Sequence, residues 1–156
     1  MDTNKKLIVL KRIASEFNKA NITWALGASM LLYFKGITSE FHDIDIMIAN
    51  EDAILAKDIL LHMGVLQPPN PDAKYKTKMF LEFVIDDVDV DVMAGFAIVN
   101  HDMLFDCSLQ KEEIVEIFDL QGEQIPLQSV ELWCKYYELM GRDSKVLAIK
   151  SFLHSK

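Results

Sequence analysis

The sequence predicts an α/β fold of the α+β kind, a mixed β-sheet packed against helices. Three observations lead there. Helical and strand periodicities alternate through the first half of the chain. Some neighbouring strands are separated only by a tight turn and others by a helix, so antiparallel and parallel pairs must both occur. Finally, 51% of the 156 residues are apolar and 26% charged, at a mean hydropathy of +0.12. That balance supplies a real core and is expected of one globular domain spanning residues 1–156.

Leu7, Leu10, Ala14 and Phe17 recur every three or four residues, which predicts an amphipathic helix over 4–20. Asn21 stops it, and residues 22–26 read as a short buried strand containing Trp24. Gly27-Ala28-Ser29 turns that strand into a short helix over 30–34, closed by Gly36. Residues 43–49 alternate with period two and predict a strand with one polar and one apolar face. Asn50 is placed to cap a helix over 51–63, which Gly64 ends. Residues 67–72 hold three of the four prolines and must be a surface loop. Two strands follow over 79–85 and 88–93, with Asp86-Asp87 as the hairpin turn between them. A second hairpin surrounds Gln121-Gly122 over about 114–127, with a helix over 112–118 as the alternative. Ser129 caps a helix carrying Leu132, Trp133, Tyr136 and Leu139, and Gly141 ends it. Asp143 caps the last helix, with Val146, Ile149 and Leu153 inward.

The charge balance narrows the classes of function. Lys and Arg total 16 against 24 Asp and Glu, a formal net charge of −8 and a pI near 4.9. Such a surface disfavours nucleic acid and anionic membranes as partners. No stretch approaches the ~20 apolar residues of a membrane span, and the first twenty make a poor signal peptide. Cys107 and Cys134 are too few for a disulfide framework and read as small core residues. A cytoplasmic protein is expected. His42, His62, His101 and His154 have no metal-ligand spacing, which argues against zinc.

The chemistry lies in carboxylates on strands. Asp43 and Asp45 stand two apart in an apolar strand and project from one face; Asp89 and Asp91 repeat the pattern. A strand face lined with anions is costly unless a cation or water reaches it. Magnesium takes oxygen ligands from one or two carboxylates plus substrate phosphates, and two such ions serve in-line displacement at phosphorus. Upstream, Gly27-Ala28-Ser29 lies between strand and helix, where Gly27 permits a tight turn and close ligand approach. Amides of residues 29–31 and the Ser29 hydroxyl are available to phosphate oxygens. Thirteen residues separate Ser29 from Asp43.

Leu26-Gly27-Ala28-Ser29 followed by His42-Asp43-Ile44-Asp45-Ile46 resembles the signature of the DNA polymerase β-like nucleotidyltransferase superfamily. The tail from Ile125 to Asp143 is similar to the end of small bacterial stand-alone and antibiotic nucleotidyltransferases. The resemblance implies a nucleotidyltransferase-like fold with C-terminal helices. It also implies a Mg2+-dependent enzyme, with two ions, that binds a nucleoside triphosphate such as ATP. A nucleoside monophosphate would pass to a hydroxyl of a small-molecule acceptor, with release of pyrophosphate. By position, Asp43 and Asp45 would hold the metals, and Gly27, Ala28 and Ser29 the β- and γ-phosphates. Asp91 would complete the metal site and help deprotonate the acceptor. Asp89 competes for that third place, although the Val92-Met93-Ala94-Gly95 that follows favours Asp91. Two positions depart from the family pattern: Ala28 replaces a glycine, and His42 stands where a basic or small residue is commoner.

Other readings accompany each of these residues. Asp43 and Asp45 would serve as solvated residues of an edge strand, and Asp86, Asp87 and Asp89 as turn or edge-strand solubility residues. Ser29 would serve as a helix N-cap. Trp133, Tyr136 and Tyr137 read as core or subunit interface. Lys135, Arg142 and Lys145 read as solvated cations, unless the last helices pack over the cleft and bring them to a triphosphate. A rival from another class is a catalytically weak nucleotide-binding or antitoxin-like module acting through a protein partner. A homodimer completing the cleft, and AMP transfer to a protein, are further variants.

Overall fold

A computed structural model describes residues 3–69 and 77–155. The chain runs through helix α1 (Thr3–Lys19), strand β1 (Trp24–Leu26), helix α2 (Ala28–Phe34), strand β2 (Ile44–Ile48) and helix α3 (Ala53–Leu61). Strands β3 (Val65–Leu66), β4 (Met79–Ile85), β5 (Val88–Ala94), β6 (Ala97–Asn100) and β7 (Met103–Asp106) follow. Strands β8 (Glu116–Leu120) and β9 (Glu123–Leu127) precede helices α4 (Val130–Met140) and α5 (Asp143–His154). Seven strands form one sheet in the order β3-β4-β5-β2-β1-β9-β8, and β6-β7 form a separate hairpin. The sheet is mixed as expected: β2 pairs parallel with β5 and β1 parallel with β9, while β1–β2, β3–β4, β4–β5 and β8–β9 are antiparallel.

α1 forms where the periodicity places it, with its stripe turned by about one residue. Lys6, Val9, Leu10, Ile13, Ala14 and Phe17 are buried, and Leu7 is only half-buried. Phe17 meets Trp24 edge-on, and the Trp24 indole N–H donates to Asn18 Oδ1 at 3.0 Å, which seats α1 against the start of β1. Ile44, Ile46, Ile48, Val88, Val90 and Val92 are each at most 1% exposed. They occupy one face of β2 and β5, and each contributes roughly 1.5–3 kcal/mol of burial.

β2 differs from its expected pattern. Its second face is polar only at Asp45, because Met47 and Ala49 beyond it are buried as well. Side chains from both faces of the strand beyond Asp45 are packed into the core, so little of either face is left for water. Asp43 stands just before the strand instead of inside it.

The helix expected over 51–63 is shorter, and Asn50 does not cap it. A 3₁₀ turn, Asn50–Asp52, comes first, and the Asp52 carboxylate accepts the Thr23 backbone N–H at 2.8 Å. A bond across to the loop before β1 has displaced a local cap. Asp143 likewise opens α5 without a side-chain cap.

Asp86 and Asp87, at φ 49 and 66, form the predicted two-residue turn between β4 and β5. Asp87 bonds Lys5 at 3.2 Å and Asp86 pairs with Arg12, so α1 is tied to the turn through exposed ion pairs. Neither β2 nor β5 is an edge strand, which removes the edge-strand reading of Asp43, Asp45 and Asp89. Hairpin β8–β9 turns at Gln121-Gly122 as expected, and its helical alternative reduces to a 3₁₀ turn, Lys111–Glu113. Hairpin β6–β7 carries no strong turn signal in sequence; His101 and Asp102 take the left-handed conformations themselves, at φ 50 and 63. In the proline-rich loop, Gln67, Pro68 and Pro69 are irregular as expected, and the remainder, 70–72, lies outside the described residues. Among the described residues no helix is long and apolar enough to cross a membrane.

Candidate active site

A cavity of about 380 Å³ opens beside the start of α2, lined on one side by Ala28, Ser29, His42, Asp43, Asp45 and Asp91. Its first wall is the β1–α2 turn. Gly27 is extended, at φ −131, so left-handed freedom is not its use. A Cβ there would stand 2.5 to 2.7 Å from the indole atoms Cζ2, Nε1 and Cε2 of Trp133. The close approach read from the sequence is therefore made by Trp133, with no ligand needed to explain it. The tight turn belongs to Ala28, at φ 54, a conformation costing a non-glycine residue about 1 kcal/mol. The Gly27 N–H donates to the Asp45 carbonyl at 3.1 Å, which fixes the turn to β2. Ser29 lies within the first turn of α2, half-buried and facing the cavity, so the N-cap reading of its hydroxyl does not hold.

The carboxylates form the second wall. Asp45 pairs with Asp91 across the parallel strands β2 and β5, so their side chains leave the same face of neighbouring strands. Asp91 in turn pairs with Glu82 across the antiparallel β4–β5 ladder, which extends the acidic row to a third strand. Asp43 joins from the loop before β2. Asp89 is exposed and does not line the cavity, whereas Asp91 does. Lys6, on α1, is 4% exposed; its ammonium donates to the Phe41 carbonyl at 2.6 Å and sits over the Phe41 ring. It holds the chain two residues before Asp43.

Each of the three acids is pushed above the ordinary carboxylate range, first by burial and then by its neighbours. Asp45 is raised well above that range by burial, with Asp91 and Asp43 adding to the shift and Arg142 and Lys145 opposing it. Asp43 is raised by burial and by Asp89, against His42 and Lys6. Asp91 is raised to about 7 by burial, Asp43, Glu82 and Asp89. The nearby cations therefore compensate burial and mutual repulsion of the acids only in part. The donor set is all oxygen and anionic, which fits a hard divalent ion such as magnesium. Among the described residues, no three His, Cys, Asp or Glu side chains already stand close enough to enclose an ion.

The remaining wall is apolar and cationic. Phe80, Met93, Phe96, Trp133, Tyr137 and Met140 line it, with Arg142 and Lys145 at the start of α5. Phe80 and Met93 are ladder partners one step beyond the Glu82–Asp91 pair, on the same face. Trp133 is 2% exposed and Tyr137 3%, so they belong to the core, as expected. α4 and α5 pack over the cleft and bring Arg142 and Lys145 to its lining, with Lys145 half-buried and Arg142 still exposed to solvent; Lys135 is exposed and outside the cavity. Gly141, at φ 75, makes this placement by turning α4 into α5 within two residues.

No protein-family model and no curated protein matches the sequence. Solved structures do match the fold. A candidate nucleotidyltransferase from Thermotoga maritima is 23% identical and aligns with 100% of this chain and 97% of its own, at a TM-score of 0.76. The chain has the nucleotidyltransferase fold. The antibiotic-resistance factor ANT(2'')-Ia aligns over 97% of this chain and 86% of its own, at 16% identity and a TM-score of 0.63. The lincosamide antibiotic adenylyltransferase LnuA, with lincomycin bound, aligns over 91% and 94%, at 12% identity and 0.60. The likeness is one of fold, and it agrees with the resemblance carried by Leu26–Ser29 and Asp43–Asp45.

Within this nucleotidyltransferase fold, Phe80, Glu82 and Lys6 are among the residues that sequence reasoning missed: Phe80 lines the cavity, while Glu82 and Lys6 act on its acids from outside the lining. For Glu82 and Phe80 the signal was present. A two-residue turn at Asp86-Asp87 fixes the ladder so that Glu82 must face Asp91 and Phe80 must face Met93. Lys6 differs from the other lysines of α1 in falling on the helical stripe of Leu10, Ile13 and Phe17, a periodicity that marks it as the buried one.

Proposed function

We propose that this protein is a magnesium-dependent nucleotidyltransferase that moves a nucleoside monophosphate from a nucleoside triphosphate to a hydroxyl of a small molecule. The observation that carries the reading is the Asp45–Asp91 pair on adjacent parallel strands, facing the cavity that Ser29 also lines. The nucleotidyltransferase fold supports it. So do two similar structures, one an adenylyltransferase bound to lincomycin and the other ANT(2'')-Ia in complex with adenylyl-2''-tobramycin.

Magnesium held by Asp43, Asp45 and Asp91 would neutralise the triphosphate and stabilise the attacking and leaving oxygens of the displacement. The Ser29 hydroxyl and the turn amides beside it bind the β- and γ-phosphates. Arg142 and Lys145 face them from the opposite wall and take part of the charge that pyrophosphate gains on leaving. The Asp91 carboxylate accepts the acceptor's hydroxyl proton as the new O–P bond forms at the α-phosphorus and the bridge to the β-phosphate breaks. The net charge of −8 favours a small acceptor over a polynucleotide.

The test is calorimetric titration of ATP, GTP, CTP and UTP, with and without magnesium, into wild type and the Asp43→Asn/Asp45→Asn double variant. A pyrophosphate-release screen over hydroxylated small molecules follows. Magnesium-dependent binding of at least one triphosphate is expected, with the variant losing about a hundredfold or more in turnover. Absence of binding by every triphosphate at millimolar concentration would refute the reading.

A further inference from the structure

Trp133 lines the cavity but is 2% exposed, and its indole N–H is already engaged, so it offers a ligand neither a face nor a donor. What it touches is Gly27, so closely that no side chain fits there. Behind it stands Gln128, a polar side chain 1% exposed. The Gln128 Oε1 accepts the Trp133 indole N–H at 2.8 Å, and because indole nitrogen only donates, this bond fixes which way the amide points. Its Nε2 then faces Glu113 Oε1 at 3.5 Å, the same oxygen that accepts the Gln110 backbone N–H at 3.0 Å. The Gln128 backbone N–H donates to the Leu26 carbonyl at 3.3 Å, immediately before Gly27. One residue is therefore bonded to both parts that meet at the turn: the end of β1 through its main chain and the Trp133 indole through its side chain.

A left-handed alanine persists only where its surroundings over-determine it. Gly27, immediately before Ala28 at φ 54, is held twice over, by its N–H on the Asp45 carbonyl and by the Trp133 indole packed against its Cα. We propose that Gln128 is a positioning residue of the proposed reaction, holding Trp133 as the rigid wall that sets the Gly27–Ala28–Ser29 turn and hence the Ser29 hydroxyl. This rests on the nucleotidyltransferase reading for its consequence in nucleotide binding, but not for its consequence in the turn.

The experiment uses two readouts on the full chain: amide resonances of residues 28–31 in ligand-free protein, and the affinity for Mg-ATP. Gln128→Leu is expected to shift and broaden those resonances, to move the Trp133 indole N–H signal, and to weaken Mg-ATP about tenfold. Ile13→Val, a core change in α1 away from the cavity, is expected to lower the melting temperature without either effect. Gln128→Glu combined with Glu113→Gln keeps an acceptor for the indole and a donor–acceptor pair behind it, and should restore both readouts. Gly27→Ala should mimic Gln128→Leu, and adding Trp133→Phe should relieve it. Unmoved resonances at 28–31 in Gln128→Leu would overturn the proposal, as would Mg-ATP affinity within twofold of a wild type that binds it. A wild type that binds no triphosphate would refute the nucleotidyltransferase reading and the effect on affinity with it; the resonances still decide whether Gln128 sets the turn.

Discussion

Ala28 sits in a backbone conformation that favours glycine, at the position where the resembling family usually has one. Its methyl group opposes a φ of 54 and gives only partial burial in return, half-buried against the edge of the core. Ala28→Gly is therefore expected to leave stability unchanged or raise it by up to about 1 kcal/mol, despite the larger entropy of an unfolded glycine. Chemical denaturation gives the answer: a loss of more than about 1 kcal/mol would mean that the methyl group packs in a way its exposure does not indicate. The acids beside it show how far residue identity alone reaches. Asp89 and Asp91 have the same neighbours in sequence and the same strand face, yet only Asp91 lines the cavity.

At the scale of the element, the junction of α4 and α5 decides the cationic wall. Gly141 closes α4 in the left-handed conformation, with its N–H on the Glu138 carbonyl and the Arg142 N–H on the Tyr137 carbonyl. No atom lies within 4 Å of where its Cβ would stand, so Gly141→Ala meets backbone strain and no clash. A loss of about 1 kcal/mol in stability is expected, together with weaker triphosphate binding as Arg142 and Lys145 shift. Urea denaturation paired with calorimetry separates the two effects, and unaltered affinity would show that the cations do not depend on this turn. The β4–β5 hairpin is the opposite case. Its two-residue turn is written in the sequence as Asp86-Asp87, and from it follows the whole ladder, including the Glu82–Asp91 and Phe80–Met93 pairs.

At the scale of the molecule, the raised acids make stability depend on pH in a definite direction. A carboxylate whose pKa is higher folded than unfolded keeps its proton in the native state over a range where the unfolded chain has released it. For Asp91 that range runs from about 4, the ordinary carboxylate value, to about 7. Asp43 and Asp45 act in the same sense. Metal-free protein should therefore lose stability as pH rises from about 4 to about 7, then level off. Asp91→Asn should remove part of that slope, with Asp43 and Asp45 keeping the rest, and a slope unchanged by it would place the coupled groups elsewhere. Magnesium should raise the melting temperature at pH 8 and do less at pH 5.5, because the protonated acids no longer bind it. A thermal shift series with and without a chelator gives both results.

Most of the fold was legible in the chain because it is set by short-range rules. The stripe of α1, the turns at Asp86-Asp87 and Gln121-Gly122, and the Ser129 and Gly141 caps all depend on residues a few positions apart. The acids and the Gly27–Ser29 segment were legible for the same reason, since charge on an apolar strand is conspicuous wherever it occurs. Contacts between distant segments were decided only by the tertiary structure. Gly27 is glycine because Trp133, more than a hundred residues later, fills the space a side chain would need. Lys6 reaches Phe41, Asp52 bonds Thr23 instead of capping its own helix, and Arg142 and Lys145 share a cavity with Asp45 and oppose the rise in its pKa. Local pattern specifies which groups a chain can offer. Which of them share one cavity, and so shift one another's charge, depends on the sheet order β5-β2-β1 and on how the last two helices pack over it.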